Sequence, residues 1–81
     1  MGEPYVKTAA GLAVSQAELT RRLGGATATV GQRVRRGTLE TVRVPSERVM
    51  VPWRAAYNLI ATKSKQLADE WLAELKAQGL L

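Results

Sequence analysis

The chain has 81 residues, with 12 Lys and Arg against 7 Asp and Glu, so its net charge is +5. A chain of this length forms one domain with a small core. It contains neither Cys nor His, which excludes disulfides, thiol nucleophiles, the Ser-His-Asp triad and the commonest metal ligands. No apolar run is long enough to span a bilayer, and an N-terminus with Glu3 and Pro4 does not have the pattern of a signal peptide. These features predict a small basic protein of the cytoplasm that is not an enzyme and that needs no cofactor or metal.

The excess positive charge lies in the middle of the chain. Residues 21–54 contain eight Arg, no Lys and two Glu, which gives +6, whereas residues 1–20 sum to −1 and residues 55–81 to zero. The planar guanidinium group matches phosphate and the guanine edge better than the Lys ammonium does. The segment is typical of a nucleic-acid-binding surface, and equally of an ordinary solvated basic surface.

The first thirteen residues give weak structural signals. Tyr5–Thr8 is compatible with a short strand, and the small apolar residues that follow form no clear pattern. We expect residues 1–13, as an N-terminal arm or short strand, either to have low order or to lie as a short segment against the core.

A short helix is predicted to begin at about Gln16. Ser15 and Glu18 have the spacing of a capping box, in which each side chain satisfies a backbone N–H group at the helix start. Gly24-Gly25 ends the helix, because glycine adopts the left-handed conformation without steric cost.

A second helix is predicted from about Thr27 to Arg36, with its end at Gly37. Val30 and Val34 lie one turn apart and form its buried stripe, which leaves the polar and basic residues for the other faces. Two short helices joined by a glycine-containing turn are typical of a helix-turn-helix.

The periodicity of the sequence then changes from helical to alternating. Residues 41–44 and 48–51 are two β-rich runs, and Pro45-Ser46-Glu47 between them suits a hairpin loop. In the first run, Arg43 points away from the face that its two valine neighbours share. A helix-turn-helix followed directly by a hairpin predicts a winged helix with the hairpin as its wing.

The last part of the chain is predicted to be one long helix. Pro52 suits the first helical turn, and helix-compatible sequence continues to about Gln78. Its early apolar residues pack on the core, whereas Leu67, Trp71 and Leu75 form a second stripe. Trp71 either folds back onto the core or lies between copies of the chain, and the second interpretation makes this stripe a self-association surface.

The expected fold class is therefore mainly α with a small β-hairpin. Residues 1–13 form the arm or short strand, residues 14–61 the winged helix-turn-helix domain, and residues 62–81 the C-terminal helix.

A series of short motifs follows in order between Val14 and Pro52. They are Ser15-Gln16-Ala17-Glu18-Leu19, Leu23-Gly24, Thr29-Val30, Val34-Arg35-Arg36-Gly37-Thr38-Leu39, Val42-Arg43-Val44, and Arg48 leading to Val51-Pro52. In these motifs about half of the chain resembles the MerR-like winged helix-turn-helix domains of bacterial and phage excisionases and of BldC-type regulators. The most specific part is the Arg-Arg-Gly-x-Leu segment with the hairpin after it.

The resemblance implies a protein that binds double-stranded DNA, with the second helix in the major groove and the wing on the backbone or in the minor groove. Carried over by position, the residues at or near the major groove are Ala28, Thr29, Gln32 and Arg36. Arg33, which stands where the family usually has a large apolar residue, is a further candidate for the DNA contact. The residues implied to contact the backbone from the helix and the wing are Arg35, Arg43, Ser46 and Arg48. The chemistry agrees, because Gln pairs with adenine and Arg with guanine.

Each basic residue also has a plainer explanation. Arg21 and Arg22 on an exposed helix are ordinary solvated residues, and Arg35-Arg36 near a helix C-terminus interact favourably with the helix dipole. Arg54 lies near a helix start, where the dipole does not explain it, and this favours a contact with DNA.

Two roles share this surface, namely an excisionase that directs recombination and a small transcriptional regulator. The expected partners are double-stranded DNA, further copies of the chain, and a recombinase or a polymerase, and the expected location is the nucleoid. Two other classes remain open. A phage packaging component such as a small terminase subunit uses the same kind of domain, and an interaction adaptor would use only the C-terminal helix.

Overall fold

Two β-hairpins, one N-terminal and one in the middle of the chain, join into a single antiparallel sheet. The computed structural model describes residues 3–24, 27–44 and 48–81, and only the backbone of residues 27–29. The strands are β1 (Tyr5–Thr8), β2 (Gly11–Val14), β3 (Val42–Arg43) and β4 (Val49–Pro52), in the order β1-β2-β4-β3. The hairpins meet where β2 pairs with β4, with Val14 opposite Val51.

Four helices are present in the described part of the chain. They are α1 (Gln16–Arg22), α2 (Thr27–Arg36), α3 (Trp53–Lys63) and α4 (Lys65–Ala77). Gln16 Nε2 donates a hydrogen bond of 2.9 Å to the Val49 carbonyl, which ties α1 to β4. None of the described helices combines the length and the apolar composition that a membrane crossing requires.

The sheet separates two apolar clusters. The larger one lies between the sheet and the helices, and its members that are at most 1% exposed include Leu19, Val30, Ile60, Trp71 and Leu75. The smaller one contains Val6, Ala13, Val42, Val44 and Met50. Neighbouring residues of β2 and of β4 belong to different clusters, so the clusters lie on opposite faces. Both edge strands contribute to the smaller cluster, through Val6 of β1 and Val42 of β3.

The helix pair and the middle hairpin agree with the predictions from the sequence. α1 begins at Gln16, and Gly24 follows it with a φ of +95°. α2 ends in a Schellman motif, in which Gly37 has a φ of +73° and the Thr38 N–H group donates to the Arg33 carbonyl at 3.0 Å. The expected fold class is confirmed at the level of helices with antiparallel strands, although the sheet has four strands where the sequence predicted one hairpin.

The N-terminal segment is more ordered than the sequence predicted. Tyr5–Thr8 is a strand, as one interpretation had it, but it pairs with a second strand, Gly11–Val14, that was not expected. Gly11 makes the tight turn possible with a φ of +113°. Leu12, Ala13 and Val14 are all buried because the two faces of β2 contact different clusters.

Only half of the predicted capping box forms. The Ser15 hydroxyl accepts a hydrogen bond of 3.0 Å from the Glu18 N–H group, as expected. The Glu18 carboxylate does not return the contact, because the Ser15 N–H group donates instead to the Pro4 carbonyl at 2.8 Å. The N-terminal strand has taken the place of the Glu18 side chain.

The prediction of one long C-terminal helix is wrong. Ser64, with φ −159° and ψ 113°, is extended and separates α3 from α4, and its hydroxyl caps α4 by accepting from the Leu67 N–H group at 3.3 Å. Pro52 is the residue before α3 and not part of its first turn. The break lets α4 fold back along α3 and bury its apolar face.

The three residues of the predicted self-association stripe do not lie together on the surface in this arrangement. Trp71 and Leu75 are 1% and 0% exposed within the larger cluster, so they are not available as a surface for another copy. Leu67 is 44% exposed and is the one member of the stripe at the surface. Trp71 also packs edge-on against Trp53, with 4.8 Å between ring centroids, so Trp53 has a core contact as well.

Candidate nucleic-acid interface

The eight arginines of the chain divide into two groups by what they contact. Arg21 and Arg22 both bind the buried Glu18 carboxylate, with N–O distances of 2.9 and 3.1 Å. Arg22 also binds Glu74 of α4 at 2.8 Å. Arg22 therefore connects α1 to α4, whereas Arg21, which is 67% exposed, pairs only with Glu18 of its own helix.

Glu18 is the centre of a polar network at the edge of the core. The Tyr5 hydroxyl donates to Glu18 at 2.6 Å and accepts from the Trp71 indole N–H group at 2.9 Å. The Arg22 guanidinium lies 5.4 Å from the centroid of the Trp71 ring. Burial raises the pKa of Glu18, but hydrogen bonds from Arg21, Tyr5 and Arg22 outweigh it and lower that pKa below its ordinary value.

Arg54, in the first turn of α3, is the third arginine with a carboxylate partner. Its Nε donates to Glu40 Oε1 at 3.2 Å, and a second guanidinium nitrogen contacts the other carboxylate oxygen. Hydrogen bonding to Glu40 raises the pKa of Arg54. Both side chains are well exposed, at 75% and 48%.

The other five arginines pair with no carboxylate in the described part of the chain. They are Arg33, Arg35, Arg36, Arg43 and Arg48, and all five are among the residues that the sequence assigned to the DNA contact. The carboxylates that pair with the other three arginines are Glu18 of α1, Glu74 of α4 and Glu40 between α2 and β3.

α2 places its polar residues outwards because its apolar residues repeat every four positions. Val30 is 1% exposed in the larger cluster and Val34 packs against the same cluster. Gln32, Arg33 and Arg36 are exposed as a result, and with Thr38 they line a surface depression of about 280 Å³. The helix contains no acidic residue.

Arg35 lies on a neighbouring part of the same helix. Its guanidinium nitrogen is 3.7 Å from the position that a Cβ atom would take at Gly31, so the side chain extends back over one turn. The side chains of Ala28 and Thr29 and the whole of Ser46 lie outside the described residues.

Of the two arginines in the middle hairpin that were predicted to contact DNA, one is exposed and the other is half-buried. Arg43 points away from the smaller cluster that holds Val42 and Val44, as the alternation predicts. Arg48 is half-buried, and its guanidinium donates to the Glu3 carbonyl at 2.9 Å. The N-terminal segment therefore holds Arg48, and this contact was not foreseen from the sequence.

A continuous surface connects α2 with Arg43. The depression beside Arg33 adjoins one lined by Glu40 and Arg54, which adjoins a third that reaches Val42. The last depression, of about 440 Å³, is lined by Arg43 together with Lys7 and the β1–β2 turn. A series of adjoining depressions thus links Gln32, Arg33 and Arg36 to Arg43, whereas Arg48 is held separately by Glu3.

Lys7 and Glu40 are the residues at this surface that sequence reasoning missed. Lys7 lies in a segment whose strand pairing was not recognised, and Glu40 is an isolated acid with no local motif. Only the packing of the N-terminal hairpin and of α3 brings them next to the arginines.

Neither a metal centre nor a related protein adds to this description. No group of three or more Asp and Glu side chains suited to a metal ion occurs within residues 3–24, 27–44 and 48–81. Comparisons with protein-family models, with curated proteins and with solved structures found no match to the chain.

Proposed function

We propose that this protein binds double-stranded DNA as a winged helix-turn-helix of the excisionase or small-regulator type. The observation that carries the proposal is the division of the arginines. Arginines that serve the packing of the domain are paired with carboxylates, whereas α2 and Arg43 present guanidinium groups without a carboxylate partner in the described chain. Exposed Arg clustered along a helix is the electrostatic pattern of a nucleic-acid surface.

In this proposal α2 lies in the major groove and the middle hairpin lies on the backbone. Gln32 and Arg36 reach base edges, where Gln pairs with adenine and Arg with guanine. Arg33, Arg35 and Arg43 contact phosphates, which supplies affinity that depends on salt and not on sequence. Arg48 supports the hairpin from its contact with Glu3.

A module of this size covers only about 600–1,000 Å² of DNA-facing surface, so one copy binds weakly. Several copies on adjacent sites gain effective affinity without new contacts to DNA. The contact between copies does not use Trp71 or Leu75, because both are in the core. Excision and transcriptional control need the same DNA surface, and either role fits the proposal.

The test is a titration onto duplexes of random sequence at two salt concentrations, with the bound fraction sequenced. We expect steep salt dependence and an enriched short motif. Arg43→Ala should weaken binding to all sequences alike and reduce the log–log salt slope by about 0.9, the value for one phosphate contact. Arg36→Ala should instead reduce discrimination at one position of the motif by about 1–3 kcal/mol.

Lys76→Ala is the matched control, because it removes the same charge from an exposed position on α4. We expect Lys76→Ala to leave both the slope and the motif unchanged. Salt-dependent binding without a motif would indicate a packaging or architectural protein. Absence of binding at low salt would refute DNA binding and favour a protein partner.

A further inference from the structure

The ion pair between Glu40 and Arg54 lies beside the proposed DNA surface. Glu40 lies between α2 and β3 and Arg54 is in the first turn of α3, so the pair links this connection to α3. Both side chains line a surface depression of about 330 Å³. Arg33 of α2 lines the same depression, and so do Thr38 and Asn58.

The depression has the chemistry of a phosphate contact. The depression is open to solvent, so a phosphate of the DNA backbone can reach the side chains that line it. Arg33 and Arg54 would supply two guanidinium groups, and the planar fork of Arg matches phosphate oxygens. Thr38 and Asn58 add neutral polar groups at its wall.

In the free protein, Glu40 hinders the binding of a phosphate in this depression. Its carboxylate occupies the fork of Arg54 and adds a negative charge that repels an approaching phosphate. An exposed ion pair of this kind is weak and exchanges readily. A phosphate of the DNA backbone, anchored at the same time by Arg33, can therefore displace the carboxylate.

We propose that Glu40 is an intramolecular competitor for the DNA backbone, which Arg54 exchanges for a phosphate when DNA binds. The inference rests on the proposed function and extends its interface from α2 onto the first turn of α3. Its consequence is that Glu40 lowers affinity for DNA of any sequence. The base contacts of α2 then contribute a larger share of the total binding free energy.

The experiment is a double-mutant cycle with Glu40→Gln, Arg54→Gln and the double variant, titrated onto a random-sequence duplex over a range of salt. Arg54→Gln should weaken binding and reduce the salt slope by about 0.9. Glu40→Gln should tighten binding by about three- to fivefold, which corresponds to the release of one exposed pair. In the Arg54→Gln background, Glu40→Gln should tighten binding no more than a distant charge change does.

Glu70→Gln is the matched control, because it removes the same charge from an exposed residue of α4 that has no ion pair in the described chain. Lys76→Gln serves in the same way for Arg54→Gln. Circular dichroism should show an unchanged fold, since both residues of the pair are exposed.

Three results would overturn the inference while leaving DNA binding intact. An effect of Glu40→Gln that persists without Arg54 would mean that Glu40 only repels DNA. An effect equal to that of Glu70→Gln would mean a change of net charge alone. An unchanged salt slope in Arg54→Gln would mean that Arg54 touches no phosphate. Failure of the proposed function is distinguishable, because the wild type itself would then not bind.

Discussion

Glu18 is the residue on which the polar contacts of this small core converge. Its sequence context suggested a reciprocal helix cap, but the N-terminal strand satisfies the Ser15 N–H group in its place. The carboxylate is then free to accept from Tyr5, Arg21 and Arg22. A residue identified from local spacing as a cap is in fact the link between the hairpin, α1 and α4.

This network makes stability depend on pH. Hydrogen bonds keep the pKa of Glu18 below its ordinary value of 4.5 despite burial. The unfolded chain therefore binds more protons as pH falls, and the stabilising contribution of Glu18, complete above about pH 5, is lost as pH falls through the folded pKa. We expect Glu18→Gln to lower the free energy of unfolding by about 1–3 kcal/mol at pH 7. The difference from the wild type should shrink by pH 3.

Urea unfolding between pH 3 and 7 measures this effect. Glu74 and Asp69 also have lowered pKa values, the first because of its bond from Arg22 and the second because of its bond from Tyr57, so the variant should retain part of the pH dependence. Glu70→Gln provides the control on an exposed side chain and should change stability by less than about 0.5 kcal/mol. Parallel pH profiles for the wild type and Glu18→Gln would contradict the assignment.

At the scale of elements, serine caps decide where two of the helices begin. Ser15 is 7% exposed and its hydroxyl bonds the Glu18 N–H group at 3.0 Å. Ser64 is less buried and bonds the Leu67 N–H group at 3.3 Å. The first cap was recognisable from sequence, whereas the second was hidden inside a stretch that reads as continuous helix.

Replacing either serine by alanine should destabilise the protein, and the buried cap should cost more. We expect about 1–2 kcal/mol for Ser15→Ala and about 0.5–1 kcal/mol for Ser64→Ala. Thermal or urea unfolding measures both values. Gln66→Ala, on the exposed side of α4, leaves both caps in place and should be neutral. If Ser64→Ala lowered the free energy of unfolding as much as Ser15→Ala or more, the Ser64 cap would stabilise the start of α4 more than its exposure and its longer hydrogen bond indicate.

The elements that the sequence predicted well are those with strong local signals. α1 has a serine cap, α2 has a four-residue apolar repeat, and both are followed by glycine, so their ends were close to the observed ones. β2 was missed because Leu12, Ala13 and Val14 are all apolar and are buried on both faces of the sheet, so the strand does not alternate between apolar and polar residues. The break at Ser64 was missed because nothing near it in the chain forbids a helix.

At the scale of the whole molecule, Trp71 and Leu75 of α4 belong to the core of the domain, whereas Leu67 lies at the surface. We expect Trp71→Ala to lower the free energy of unfolding by about 3–5 kcal/mol, because it leaves a cavity beside Trp53. Trp71→Phe keeps a ring and loses the bond to Tyr5, so its effect should be smaller. Leu67→Ala should change stability by less than about 0.5 kcal/mol.

Urea unfolding and sedimentation equilibrium together check this prediction. The mass in solution should be the same for the wild type and Trp71→Phe. If Trp71→Phe lowered the mass in solution without changing stability, Trp71 would lie in an interface between copies, contrary to this prediction. A loss of mass in Leu67→Ala would locate a contact at the exposed end of the stripe.

The sequence alone determined the two short helices, the middle hairpin and the concentration of arginine between residues 21 and 54. These follow from caps, glycines and periodicities that act within a few residues, where a local reading of the chain is sufficient. The sequence also identified the exposed candidate residues on α2 and Arg43. Because the valines of these elements are buried, the polar and basic side chains between them point towards solvent.

The tertiary structure alone decided which arginines are paired, where α3 ends, and that Trp71 lies in the core. Each of these depends on contacts between residues far apart in the chain, such as Arg22 with Glu74 or Tyr5 with Trp71. Local patterns carry no information about such contacts, because burial and pairing are set by which faces meet when the helices pack on the sheet. The proposed interface, with Glu40 beside Arg54, is a product of that packing.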